Sequence, residues 1–90
     1  MKLSSYRAIK TSSQDNVAIA VTVIPKGVTV IIPGNKEVIT NHEIRLGHKI
    51  ALVPIPAGAS IIRYGGVICT AKEDIKAGDW IHVHNTISSI

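Results

Sequence analysis

Three polar clusters stand at the ends of apolar runs in this 90-residue chain: Gly47-His48-Lys49, Arg63-Tyr64-Gly65 and His82-Val83-His84-Asn85. A packed β-domain has no need of them. Imidazole changes charge near neutral pH, so His48, His82 and His84 are candidate acid/base groups. Arg63 offers a carboxylate two parallel hydrogen bonds, and Lys49 offers a point charge. The Tyr64 hydroxyl and the Asn85 amide can hydrogen-bond a polar ligand. Lys49, Arg63, Tyr64 and Asn85 are therefore the substrate-binding candidates. The competing reading is plain: solvated cations, a turn tyrosine and surface histidines. Together the clusters suggest one site for an anionic ligand.

His82 and His84 have the most definite spacing. Trp80-Ile81-His82-Val83-His84 alternates apolar with polar, which predicts a half-buried strand. Residues at i and i+2 share a strand face. The two imidazoles would stand about 6.6 Å apart at Cα, close enough to converge on one metal ion or one carboxylate. They are candidate metal ligands, although a closed site needs two more. The same alternation turns Ile81 and Val83 inward, so an aspartate at Val83 is expected to unfold the domain. His42, within Asn41-His42-Glu43, carries little functional weight. Asp15 and Asn16 precede a strand and suit a turn that bonds its own backbone.

Short strands joined by tight turns must position these groups. Strands are predicted at 6–10, 17–24, 28–32, 50–53, 61–64 and 67–70, as well as 80–84. Ile24-Pro25-Lys26-Gly27, Ile55-Pro56-Ala57-Gly58 and Ile75-Lys76-Ala77-Gly78 are three similar corners, each placing Gly where a type I turn accepts it. An apolar residue follows three positions later: Val30, Ile61 and Ile81. Offsets of 31 and 20 residues are unequal, which argues against a solenoid. Pro33-Gly34-Asn35 closes one strand. Residues 36–46 read as irregular or a single helical turn, and 71–75 as one helical turn. Pro54 and Pro56 keep Ile55 out of the middle of a ladder. Gly65-Gly66 permits a bend through positive φ. No segment carries a sustained helical stripe, so the class is mainly β.

Ninety residues make a single domain over 1–90, with a polar N-terminal segment at 1–14 that holds the first strand. With no Phe and few aromatics the core must be aliphatic. The lone Cys69 excludes an internal disulfide and reads as a small buried hydrophobe. The charge of +4 is spread singly, which suits attraction of small anions or an acidic partner better than nucleic acid. The N-terminus has no apolar stretch of signal type, and no run is long enough to span a bilayer, so a cytoplasmic protein is expected. Phosphate-cradling glycine loops, Cys-His zinc patterns and nucleophile elbows are absent from the sequence.

Four ordered stretches carry a family resemblance: Asp15-Asn16-Val17-Ala18-Ile19-Ala20, Gly47-His48-Lys49-Ile50-Ala51-Leu52, Ile62-Arg63-Tyr64-Gly65 and His82-Val83-His84-Asn85-Thr86. They resemble the N-terminal domain, or free-standing small subunit, of altronate and galactarate dehydratases. The likeness runs from about Gln14 to Thr86 and departs at Cys69, where relatives more often carry Gly. It implies a small SAF-type β-clip domain with short strands and tight Gly turns. It also implies a lyase that removes water from a sugar acid with Fe2+ or Mn2+ in the assembled enzyme. On that reading His48, His82 and His84 are catalytic, and His82 and His84 also serve as metal candidates. Ninety residues enclose a polyhydroxy acid poorly. A separate large subunit is therefore the expected partner, the chain alone is expected to be inactive, and self-association is compatible with this reading.

Two alternatives stand beside it. A sulfolactate sulfo-lyase small subunit is similar, with sulfite leaving in place of water. The other is a non-catalytic SAF-type module that binds or organises another protein; an antifreeze-like domain would have no reason to keep His82-Val83-His84-Asn85.

Overall fold

The computed structural model describes residues 6–34 and 36–88; Asn35 and the outermost part of the polar N-terminal segment, 1–5, lie outside the described residues. Among the described residues nine strands follow one another: β1 Tyr6–Ile9, β2 Val17–Ala20, β3 Thr29–Ile32, β4 Lys36–Ile39, β5 Lys49–Ala51, β6 Ser60–Arg63, β7 Gly66–Ala71, β8 Trp80–Ile81 and β9 Thr86–Ser88. Among the described residues there is no helix, so the domain is mainly β, as its β-branched composition predicts.

Three sequence expectations need correction. Ala71 ends strand β7 and residues 72–75 form a bend and the start of a corner, not a helical turn, and the first part of 36–46 is strand β4. Strand β2 stops at Ala20, short of Ile24. The reason is local: the Ala20 carbonyl accepts the Gly47 N–H and the Ala20 N–H goes to the His48 carbonyl. Past Ala20 the facing chain has turned its own corner, so the ladder has no continuation.

Six strands form one sheet in the order β4-β3-β1-β2-β5-β8, curled into a half-barrel; β6-β7-β9 form a second sheet. Only β1 and β3 run parallel among the paired strands. The hollow of the large sheet holds the first core, built on Ala18, Ile24, Val30, Ile32, Ile44 and Ile50. A second core joins Val17 and Ile81 to Ile55, Ile61, Ala71 and Ile75 beneath the small sheet. Both cores are aliphatic, and close packing of such branched residues fixes the strand register.

The corners number four, not three. Ile44-Arg45-Leu46-Gly47 is the fourth, and Gly27, Gly47, Gly58 and Gly78 all have positive φ. The corners pair through two isolated bridges, Ile24 with Ile44 and Ile55 with Ile75. Ile24 to Ile55 and Ile44 to Ile75 are both 31 residues apart, so 24–50 and 55–81 superimpose along the sequence without a gap. Hydrogen bonds repeat with the same offset. Gly47 N–H to the Ala20 carbonyl is matched by Gly78 N–H to the Ala51 carbonyl, and Ala20 N–H to the His48 carbonyl by Ala51 N–H to the Asp79 carbonyl. The unequal spacing read from three corners hid a tandem repeat.

The hairpins of the two units reconcile different loops with equal length. In the first, Ile32 pairs with Lys36 around a three-residue loop. In the second, Arg63 pairs with Gly66 around Tyr64-Gly65, and a β-bulge at Ile68 absorbs the spare residue. Tyr64 and Gly65 both have positive φ, the geometry of a two-residue hairpin turn.

Candidate functional site

Strand β8 ends at Ile81, and there the expectation of an alternating strand over 80–84 fails. Lys49, the first residue of β5, pairs with Ile81, so a longer β8 would run beyond its partner. The chain turns instead. The Asn85 N–H donates to the His82 carbonyl at 3.2 Å. The Asn85 side chain accepts the His82 N–H at 3.0 Å and donates to the Trp80 carbonyl at 2.8 Å. Thr86 adds a hydroxyl bond to the His82 carbonyl at 2.8 Å. Val83 therefore sits at the tip of a turn, 77% exposed, and is not a core residue. The expectation that an aspartate there would unfold the domain is withdrawn.

The turn brings His82 and His84 onto Trp80. Ring centroids are 4.9 Å apart for Trp80–His82 and 4.9 Å for Trp80–His84. His48, one residue ahead of β5, stacks on His82 at 5.2 Å with the planes only 7° apart. The Trp80 indole Nε1–H donates to His48 Nδ1 at 3.1 Å, with the two ring planes 19° from parallel. His42 completes the group: its Nδ1 accepts the Trp80 backbone N–H at 3.2 Å. Every histidine of the chain thus touches its single tryptophan.

Strand geometry explains the convergence. Ala18, Ile50 and Trp80 are directly opposed across β2, β5 and β8 and share the face that lines the first core. His48 lies two residues from Ile50 and leaves on that same face. Lys49 leaves on the other face, between its cross-strand partners Ile19 and Ile81. The candidates His48, His82 and His84 are brought together, and Lys49 is not.

Arg63 and Tyr64 lie elsewhere. Asn16 binds the β6 end of the hairpin, accepting the Ile62 N–H at 2.8 Å and donating to the Ser60 carbonyl at 2.9 Å. Ala20, by contrast, bonds His48. The length of β2, roughly 13 Å at the usual strand rise, separates the two ends. The single three-cluster site expected from sequence is therefore split within this chain. The Arg63 guanidinium lies 4.6 Å over the Tyr64 ring, and its Nη2 donates to the Tyr64 hydroxyl at 3.1 Å. Its Nε is buried and unpartnered.

Asp15 clamps this hairpin tip. It is 4% exposed and accepts the backbone N–H of Ser12, Tyr64 and Gly65 at 3.1, 3.1 and 2.9 Å, together with the Thr11 hydroxyl. Burial pushes its carboxyl up, but the bonds from Thr11, Gly65, Tyr64 and Ser12 outweigh burial and hold it below the usual carboxylate range. Asp15 and Asn16 have the backbone-bonding role that their place before a strand suggests. They offset the cost of a left-handed Tyr64, which is of order 1–3 kcal/mol for a non-glycine residue.

Among the described residues no three His, Cys, Asp or Glu side chains are grouped to hold a metal ion. His82 and His84 meet the tryptophan ring, and the Nδ1 atoms of His42 and His48 are already acceptors. This donor set does not fit a divalent metal centre of the chain's own. Asn85 is buried with both amide atoms bonded to main chain, and so shapes the turn that presents the histidines. Sequence reasoning missed Trp80 and set His42 aside. The two lie 38 positions apart, and no local pattern links them. The one available signal was the lone tryptophan at the head of the His82-His84 stretch.

Among the described residues, no helix is long and apolar enough to cross a membrane. Residues 6–89 match the family model described as the altronate/galactarate dehydratase SAF domain. The chain is similar to altronate dehydratase of Escherichia coli K12, 39% identical over 82 residues, and to altronate dehydratase of Bacillus subtilis 168, 42% identical over 82 residues. Each match covers 91% of this chain and 16% of the relative. Galactarate dehydratase (L-threo-forming) of E. coli K12 is 44% identical over 73 residues, 81% of this chain and 14% of the relative. The chain thus spans about a sixth of the length of these relatives.

Proposed function

The chain belongs to the SAF-domain family of altronate and galactarate dehydratases, and from that membership we propose that it is the small subunit of a sugar-acid dehydratase. The partner in this reading is a separate large catalytic subunit, and the substrate is an acid such as altronate. The observation that carries the proposal is the pair of coverages: 91% of this chain aligns with only 16% of each altronate dehydratase. In this reading the large subunit carries what the rest of the relatives' length carries, which these 90 residues do not span. A cytoplasmic location belongs to the same proposal.

Dehydration of a sugar acid removes a proton beside a carboxylate and expels a hydroxyl as water. Both steps need groups that exchange protons near neutral pH. His82 and His84 are the proposed acid/base pair, held at the mouth of the domain by the Asn85 turn. His48 acts beside them. Lys49, Arg63 and Tyr64 stand away from the imidazoles. Their proposed contribution is to the positive field that draws the anion in, or to contacts that the large subunit completes. Fe2+ or Mn2+, if the reaction uses it, is proposed to be bound by the large subunit, because this chain's donor set does not suit it.

Reconstitution tests the proposal. The chain alone should leave altronate unchanged, and the mixture with its large subunit should turn it over. Replacing His82 or His84 with Ala should then lower turnover by about 100-fold or more, the usual cost of losing a proton-transfer group. Full turnover by the 90-residue chain alone, or full turnover with both histidines replaced, would overturn it. Release of sulfite from sulfolactate without altronate turnover would move the assignment to the sulfo-lyase.

A further inference from the structure

We infer that Trp80 is the positioning residue of the imidazole cluster, and that through it His48 serves as a hydrogen-bond donor to substrate and not as a base. The donor role rests on the dehydratase reading; the positioning role rests on geometry alone.

Trp80 has two N–H groups, and each goes to a different imidazole at the same atom. Its backbone N–H meets His42 Nδ1 and its indole N–H meets His48 Nδ1. A ring nitrogen that accepts a hydrogen bond carries no proton, and a neutral imidazole has one N–H. In both residues the proton must then sit on Nε2. At 3.1 Å the Trp80–His48 contact has the length of an ordinary N–H···N hydrogen bond, and the two ring planes are 19° from parallel.

The consequence for His48 is a division of labour. A general base needs a bare nitrogen facing the substrate. The bare nitrogen of His48 faces Trp80. Its other nitrogen carries hydrogen and can polarise a carboxylate or hydroxyl oxygen, the role of a neutral electrophilic imidazole. His82 stacks on Trp80 and His84 meets the ring tilted by 36°, and neither contact constrains a tautomer. The base function therefore falls to one of these two.

Trp80 is itself firmly placed. It pairs with Ile50 in the sheet and packs on the first core. Its carbonyl holds the Asn85 amide, which shapes the turn bearing His82 and His84. One residue therefore sets the orientation of all four imidazoles, two by hydrogen bonds and two by its face.

The first test is spectroscopic and needs only the 90-residue chain. In 15N-labelled protein with neutral imidazoles, a 15N–15N coupling should pass across the hydrogen bond between Trp80 Nε1 and His48 Nδ1, with His48 and His42 protonated at Nε2. Trp80→Phe keeps an aromatic face and removes the indole N–H together with the fused pyrrole ring. It should release His48 to a mixture of tautomers and leave His42, bonded to the backbone, unchanged. No coupling, or a proton on His48 Nδ1, would overturn the positioning role.

The second test uses the reconstituted enzyme. His48→Asn retains an acceptor near Nδ1 and has no donor near Nε2; His48→Gln has the reverse. The Asn variant should keep the fold yet lose turnover as fully as His48→Ala, and the Gln variant should recover part of it. Trp80→Phe should lower kcat roughly tenfold, the scale seen when a group that orients an active residue is lost. Full turnover in His48→Asn would sink the donor role. Coupling present without turnover by any pairing would refute the dehydratase reading and still support Trp80 as the positioning residue.

Discussion

In the first unit of the repeat, 24–50, the residue after the closing corner glycine is His48; in the second, 55–81, it is Asp79. The backbone does the same thing at both, yet the side chains do opposite things. His48 turns to Trp80 and joins the imidazole cluster. Asp79 is spent internally, accepting the Lys76 N–H at 2.8 Å and the Asn41 amide at 2.8 Å. Other equivalent pairs diverge in the same way. Ile32 is fully buried, and its counterpart is Arg63. Pro33 corresponds to Tyr64, and Lys36-Glu37 to the exposed Val67-Ile68. Positions where the units agree, the corner Ile and Gly above all, are scaffold. Positions where they disagree carry the candidate chemistry or lock one unit to the other.

The sharpest way to break the comparison is to make the same change at equivalent glycines. A Cβ on Gly78 would overlap the Ile39 carbonyl oxygen, because the first unit's bend is clamped there by the Asn41 N–H to the Gly78 carbonyl. A Cβ on Gly47 meets open space, although φ is positive at both. Gly78→Ala should cost about 3 kcal/mol or more, a large share of a small domain's stability. Gly47→Ala should cost only the left-handed strain, about 1–2 kcal/mol. Urea unfolding of both variants checks this, and equal losses would show that the units do not differ in how tightly they dock.

Asp15 gives the next effect, since among the described residues only the second hairpin has such a clamp. Asp15→Asn keeps the shape and loses the charge that three N–H groups address, so the melting temperature should fall. The pH dependence has a definite sign. The folded carboxyl titrates below its ordinary value, so its stabilisation is present above the unfolded pKa and is lost as pH falls through the folded one. The native chain should weaken on acidification below about pH 4, where an unfolded aspartate begins to bind its proton. The Asn variant should lack that component. Parallel acid melting curves for the two proteins would refute the clamp.

The smallest effects are expected where the units differ at exposed positions. Val67→Lys with Ile68→Glu copies the first hairpin onto the second and should change stability by no more than about 0.5 kcal/mol. Val83→Asp should behave the same way, because the turn tip is in solvent. A loss above about 2 kcal/mol at Val83 would restore the inward-facing strand and undo the cluster geometry.

Much of this was readable beforehand, and the failures have physical causes. β-branched runs and Gly corners announce their strands locally, so the class and most elements follow from composition and turn chemistry. Ile44-Arg45-Leu46-Gly47 lacks the proline that marks two of its counterparts, so the repeat stayed hidden. The Trp80–His84 alternation is a true strand signal overruled by tertiary context: β5 offers no partner beyond Lys49. His48, His82 and His84 were legible as a set by residue type. Their hub was not, because Trp80 meets His42 and His48 across 38 and 32 positions.

Strand β1 lies third in the large sheet, between β3 and β2, although it is the first strand among the described residues. It pairs on one side with Ala20 and Ile19 and on the other with Val30 and Ile31. Truncation past Ile9 would therefore do more than shorten an end. It would divide one sheet into β4-β3 and β2-β5-β8, each with a newly bare edge of unpaired N–H and carbonyl groups. Those two edges are complementary to β1 of any other copy. A nicked or trimmed N-terminus should thus convert this domain from a closed folded unit into a strand acceptor, prone to exchange and aggregation.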